Sequence, residues 1–323
     1  MSEKSAWRPI RCWGSRFLRS DLEGKISGFF FDEKSDIDLG VSRFLFFTSI
    51  VIGGFFWLQF PEGVLVGKTA STWQPLGVFQ FFENPLFVSS DQYFYLKSLW
   101  YLSAVCSALG LWTIVSHPLC FLISLYAFGM ANNFGKVYHS PHLPLIALLG
   151  FCFASKPGRL SLDYVLSKNK SQFLSRSFEY RWPLSFILCM VSINYFAAGW
   201  SKLSRSGYQW FWSDNLEIIL LSKQPIQEAA IFITQFPVLV KCLAFMTVFI
   251  ELLAPTVLFF PRLRSAIFVF PIFHLSTLLL MGRYGNFNAY LPTFLVFVPW
   301  QSCYNKLARS SLIQALPINK KRS

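Results

Sequence analysis

The stretch PLSFILCMVSINYFAAG, residues 183–199, contains no charged side chain, and the first base after it is Lys202. Coiled into a helix at about 1.5 Å per residue, it comes close to crossing a hydrocarbon core of about 30 Å. Runs of the same kind recur along the chain: Phe44–Phe60, Leu96–Val115, Pro118–Met130, Leu143–Ala154, Pro237–Phe260, Ser265–Gly282 and Phe287–Trp300. The expected fold is therefore all-α, a polytopic integral membrane helical bundle of about eight transmembrane helices. Composition agrees. Of the 323 residues, 54% are hydrophobic and 14% charged, with 37 Phe, 12 Tyr and 11 Trp. A soluble domain carries about 25% charged residues, so this chain has too little charge to cover a wet surface. Disordered, collagenous and coiled-coil classes are excluded, because nothing here is polar throughout, periodic in glycine or heptad-patterned.

The domain organisation expected is a cytoplasmic N-terminal segment over 1–40, one transmembrane domain over 41–300, and a basic cytoplasmic tail over 301–323. Within the first, Ile26–Phe31 reads as an interfacial helix lying on the membrane surface, and no cleaved leader is expected before the first span. The formal net charge of +13 would by itself raise nucleic acid as a partner. Its distribution argues otherwise. With a cytoplasmic N-terminus, 21 of the 29 Lys and Arg fall on inner segments: 1–43, the basic connector Lys156–Arg181, Arg262 and Arg264, and the tail. Lys68, Lys97, Lys136, Lys202, Arg205, Lys223 and Arg283 fall on the outer side, and Lys241 within a span. That is the positive-inside bias, and it places both termini in the cytoplasm. The partners expected are membrane lipids, whose anionic headgroups the basic segments attract, and no nucleic acid.

Chemistry-bearing motifs are sparse. No CxxC, GxGxxG, Walker loop, HExxH or GxSxG occurs, and no metal site is expected. Cys106, Cys120, Cys152, Cys189 and Cys242 fall inside expected spans, where they act as small apolar residues. Ionisable groups in or beside spans are costly, so they define the candidate site. Lys202 follows its span, His139 and His142 open another, His274 lies about 13 Å into a third, and Glu251 falls deeper toward the inner side. Each has a plain structural alternative. A lysine past a helix end ordinarily snorkels to the interface, terminal histidines ordinarily belong to the polar rim, and a buried glutamate such as Glu251 ordinarily pairs with a basic residue or sits protonated. His117, in a Ser-His-Pro turn expected between two spans, reads as structural. Position alone names no reaction.

The sequence Asn194-Tyr195-Phe196-Ala197-Ala198-Gly199-Trp200-Ser201-Lys202-Leu203 resembles the YF-x-AG-x-x-KL signature of vitamin K-dependent gamma-glutamyl carboxylases and the wider horizontally transferred transmembrane (HTTM) domain family. His139-Ser140, an apolar helix and Ser161-Leu162-Asp163 resemble that family's HS…SLD stretch. Phe273-His274 with Gly282 and Phe287 is similar to its FH…G…F element, and Glu251 with Pro255 and Arg262/Arg264 to its acidic residue, proline and basic turn. The resemblance implies that Lys202 is a catalytic base toward a reduced quinone, vitamin K hydroquinone-like, with His139 and His274 in the same active site. His142, Glu251, Tyr195 and Trp200 are the implied substrate-binding residues. The animal carboxylase completes its peptide site with a large lumenal C-terminal region, whereas about twenty residues follow the last apolar run here. Glutamate carboxylation is accordingly not the expected activity.

Two classes of function follow. One is quinol- or lipid-dependent chemistry in an outward-facing pocket, with Lys202 as base and an isoprenoid quinol as partner. The other is non-catalytic binding or transport of a lipid, quinone or other small molecule through the same pocket. A carboxylate close to Lys202, for which Asp214 and Glu217 are the nearby candidates, would speak for a structural ion pair.

Overall fold

Each expected apolar run that falls on described residues becomes helical in the computed structural model, which describes residues 16–56, 58–67, 72–135, 137–154, 156–223, 225–282 and 288–309. The chain is 75% helical with almost no strand. In order, it forms α1 (Arg16–Phe31), β1 (Lys34–Ser35), α2 (Asp36–Phe56), α3 (Glu62–Leu65), α4 (Ser90–Leu109), α5 (Thr113–Ala131), α6 (His142–Cys152) and α7 (Leu162–Leu166). Then come β2 (Arg176–Ser177), α8 (Trp182–Ser206), α9 (Gln209–Trp212), α10 (Asn215–Leu221), α11 (Glu228–Thr234) and α12 (Pro237–Leu253). The last are α13 (Thr256–Phe259), α14 (Val269–Met281), α15 (Leu291–Phe294) and α16 (Trp300–Arg309). The strands form one short antiparallel pair, Lys34 opposite Ser177 and Ser35 opposite Arg176.

Among the described residues, four helical segments are long and apolar enough to cross a membrane: Asp36–Gly54, Thr113–Ala131, Phe178–Ser206 and Pro261–Met281. A fifth results if α11 and α12, bent by 107° at their junction, are taken together. Fewer than eight single helices reach that length and apolarity, for physical reasons. α4 is twenty residues long but opens with the polar Ser90, Asp91 and Gln92 and carries Lys97 in its second turn. α6 has only 11 residues. The run ending at Trp300 is divided into two 3-10 turns around α15, with Pro292 and Pro299 interrupting the regular helix. Its first residue, Phe287, lies outside the described residues, as do Lys68, Lys136, Arg283, residues 1–15 and residues 310–323.

Two other expectations are corrected. The turn before the second long helix is not at Ser116-His117. It lies at Gly110–Trp112, where Gly110 (φ +68°) closes α4 and Trp112 (φ +48°) opens α5. His117 is inside α5, stacked on Phe47 at 5.1 Å with its Nδ1 2.9 Å from the Phe151 carbonyl. Arg43 is not a flanking base. It is buried in α2, and its guanidinium donates to the Pro157 carbonyl at 2.7 Å and to the Leu160 carbonyl. α1, which includes the Ile26–Phe31 segment, packs against the bundle: Phe29 is buried, and its carbonyl accepts bonds from Arg181 Nε (2.9 Å) and Ser185 Oγ (2.7 Å) at the start of α8.

The Lys156–Arg181 connector is a folded brace. Asp36, fully buried at the head of α2, is held bidentately by Arg159 at 2.8 and 3.2 Å. In the Ser161-Leu162-Asp163 stretch, Ser161 caps α7, and the Asp163 carboxylate accepts from the Trp112 and Thr113 backbone N–H groups at 2.8 and 3.2 Å. Those N–H groups open α5 and have no partner within their own helix, so the acid both satisfies them and faces the positive end of the helix dipole. The motif therefore does structural work at one end of the bundle. The core lies between α2, α4, α5, α6 and α8, around Phe46, Phe47, Trp100, Phe151 and Ile187.

Candidate functional site

α8 and α12 place the central pair of charges. α8 begins with Pro183 in its first turn, where a missing N–H costs nothing, and ends at Gly207 (φ +57°). Within it, Gly199 faces α12 so closely that a Cβ there would lie 2.9 Å from Glu251 Cβ and 3.1 Å from the Leu252 nitrogen. Small residues let helix backbones approach in this way. One turn further along α8, Lys202 Nζ reaches both carboxylate oxygens of Glu251, at 2.6 and 2.7 Å. The Glu251 side chain is 5% exposed and that of Lys202 24%. Glu251, expected at a deeper level, is thus the carboxylate beside Lys202. Asp214 instead approaches Lys241, at 3.7 Å on an exposed surface.

Around this pair lies a cavity of about 700 Å³. Its walls are mostly apolar, from Leu216, Ile219 and Leu220 of α10, Leu243, Met246 and Ile250 of α12, and Val269, Phe273 and Leu280 of α14. The volume is that of a site for a drug-sized organic molecule. The polar groups reaching it are few: the Lys202–Glu251 pair, Asn194, Thr247, Ser276, Thr277, Tyr195 with His274, Tyr290, and His139 with His142. Tyr195 Oη and His274 Nε2 share a hydrogen bond of 2.5 Å, both side chains are buried, and Phe270 stacks on the Tyr195 ring at 3.7 Å. The Tyr290 ring packs edge-on against His274 at 5.0 Å, while its hydroxyl donates to the His139 carbonyl at 2.7 Å. The imidazoles of His139 and His142 stand 5.2 Å apart, nearly perpendicular.

Of the seven residues that the sequence reading assigns to a site, six line this cavity: His139, His142, Tyr195, Lys202, Glu251 and His274. Trp200 does not. It points away from the wall, exposed and stacked on Phe196, because helical geometry turns it to the opposite side of α8 from Gly199 and Lys202. Trp210 also enters the site, with Lys202 Nζ 5.4 Å from its ring centroid. Tyr290, Asn194 and Thr247 were not singled out. Each is an ordinary polar residue in an apolar run, and spacing alone gives no sign that it faces a cavity.

Chemically, the site offers a carboxylate–ammonium pair in apolar surroundings and a tyrosine–histidine hydrogen bond. No cluster of potential metal ligands occurs among the described residues. Comparison of the chain with protein-family models, curated proteins and solved structures finds no match.

Proposed function

We propose that the chain is a multi-pass membrane protein of the HTTM, vitamin K-dependent carboxylase-like kind, which binds a membrane-dissolved amphiphile such as an isoprenoid quinol or lipid in this cavity and deprotonates its head. The observation that carries the reading is the Lys202–Glu251 pair set in an apolar cavity beside Tyr195 and His274. As a unit the pair can take one proton from a hydroxyl of the ligand. Lys202 passes a proton to the Glu251 carboxylate, its neutral amine takes the hydroxyl proton of the ligand, and the ammonium so restored is left facing the new oxyanion, which it neutralises. Apolar walls exclude water from a reactive anion and strengthen that attraction. Eight membrane passages with both termini cytoplasmic belong to the same proposal, supported by the distribution of bases along the chain.

Mass spectrometry of lipids and quinones that copurify with the protein tests the binding part. A quinol or lipid retained by the wild type and lost when Tyr195 and Thr247 are both replaced by Phe and Leu supports it. Retention by that double variant refutes the cavity as the site.

The second reading, a non-catalytic carrier, is favoured by the same pair seen differently, because a lysine bonded to both oxygens of a buried acid is also a structural strut. Lys202→Arg separates the two. Arginine keeps the charge and the pairing but cannot give up a proton. Product formation lost with ligand binding intact supports the base, and unchanged ligand binding or flux with no product from either protein supports the carrier.

A further inference from the structure

Away from the cavity, where α1, β1 and α8 meet, three cations gather around two carboxylates, Asp32 and Asp38, among the described residues. Arg181, at the head of α8, spends its Nε on the Phe29 carbonyl, and its Nη2 stands 4.0 Å from Asp32. Arg264, in the 3-10 segment before α14, lies 5.2 Å over the Phe29 ring, and its Nε is buried with no hydrogen-bond partner among the described residues. Lys34 is brought to the same corner by the pairing of β1 with β2, and its ammonium is 3.9 Å from Asp38. Both carboxylate contacts exceed hydrogen-bond distance. Asp38 already accepts from the Gln301 backbone N–H at 3.1 Å, and Asp32 is mostly exposed. Among the described residues, donor capacity at this corner is therefore left over.

The electrostatics of Lys34 show the imbalance. Burial holds its pKa below the usual lysine range, Asp38 opposes that, and the guanidiniums of Arg181 and Arg264 push it further down. An anion between the three would relieve both the repulsion and the orphaned Arg264 Nε–H.

The surroundings indicate what carries the anion. The exposed rings of Phe31 and Phe178 pack together on one side of the corner, and Phe259, Phe260 and Leu263 are exposed on the chain leading to Arg264. The corner also stands at the start of α8, one of the helices long and apolar enough to cross a membrane. We propose that Lys34, Arg181 and Arg264 form a phosphate-binding site whose occupant is the headgroup of an anionic phospholipid, with its acyl chains against the flanking apolar side chains. A basic pocket between helices at a membrane boundary suits that chemistry.

The test is native mass spectrometry of the full chain in detergent, titrated separately with short-chain phosphatidic acid, short-chain phosphatidylcholine and inorganic phosphate. Phosphatidic acid is expected to bind in preference to phosphatidylcholine, and Arg264→Gln to weaken it at least about tenfold, the loss of one charge-assisted contact. Lys34→Gln, remote from the Phe29 contacts, provides a second variant should Arg264→Gln unfold. Arg262→Gln, on the exposed side of the same turn, is expected to bind as wild type does. Binding of inorganic phosphate alone, lost in Arg264→Gln, upholds the anion site and assigns it to a soluble ligand. Undiminished phosphatidic acid binding in both Arg264→Gln and Lys34→Gln overturns the proposal, as does an equal loss in Arg262→Gln, which would mean diffuse surface charge.

Discussion

Removing Lys202 or Glu251 one at a time, and then together, measures whether the pair is buried as the structure has it. The two contacts of 2.6 and 2.7 Å correspond to roughly 6 kcal/mol of direct attraction at an effective dielectric constant of about 20. Most of that is offset by the cost of taking both groups out of water. What the assay sees is therefore the penalty for leaving one charge behind. Lys202→Met strands a carboxylate that is 5% exposed, and a loss of about 3 kcal/mol is expected, at the lower end of the range for broken buried pairs. Glu251→Leu strands an ammonium that is still 24% exposed and can reach water, so about 1–2 kcal/mol is expected. Lys202→Met with Glu251→Leu removes both charges and is expected near wild type, because an apolar pair of similar volume suits apolar walls. The assay is chemical denaturation in mixed micelles, with the coupling energy read from the four-member cycle. A coupling energy below about 0.5 kcal/mol, with Lys202→Met as stable as wild type, would refute the buried pair and the mechanism built on it.

Gly199→Ala is expected to cost about 1–3 kcal/mol, since its Cβ would stand 2.9 Å from Glu251 Cβ. Gly24→Ala in α1, with nothing within 4 Å, is expected to be neutral or to stabilise by up to about 1 kcal/mol in the same denaturation measurement. Asp163→Ala is expected to lose about 1–2 kcal/mol, because two backbone N–H groups at the start of α5 lose their acceptor; hydrogen exchange at Trp112 and Thr113 reports it. Trp200→Ala is expected to leave ligand retention unchanged, whereas Tyr195→Phe, which breaks the bond to His274, is expected to weaken it, by mass spectrometry of the copurified ligand.

Helix content was legible because apolar run length is a one-dimensional property. Residues 183–199 need no neighbour to be read as a helix. What breaks a helix is less visible from hydropathy. Pro118 reads as a boundary yet sits inside α5, because Gly110 and Trp112 in left-handed conformations have already made the turn six to eight residues earlier. Conversely, the run ending at Trp300 looks continuous by apolarity, but Pro292 and Pro299 leave only one short helix between 3-10 turns. The bases were read as charges on a surface, and Arg43 shows the limit of that. A guanidinium in α2 that donates to two carbonyls of the connector is an internal brace, and the count of flanking bases has no way to tell the two apart.

The candidate site divides along the same line. Lys202, His139 and His274 stand out in sequence because charge and imidazole are costly near hydrocarbon, and all three reach one cavity. Glu251 stands out for the same reason, but its pairing with Lys202 does not, since a contact between residues 49 positions apart is decided by how α8 and α12 pack. Yet part of that packing is written beside the lysine. Gly199 lies three residues before Lys202, on the same face of α8, and a side chain there would collide with the backbone that carries Glu251. In the stretch AAGWSKL the glycine thus sets the helix separation and the lysine uses it, while Trp200, one step round the helix, faces outward. A glycine one turn before a membrane lysine therefore points to a close helix approach, and the acid to look for is on the helix that the glycine admits.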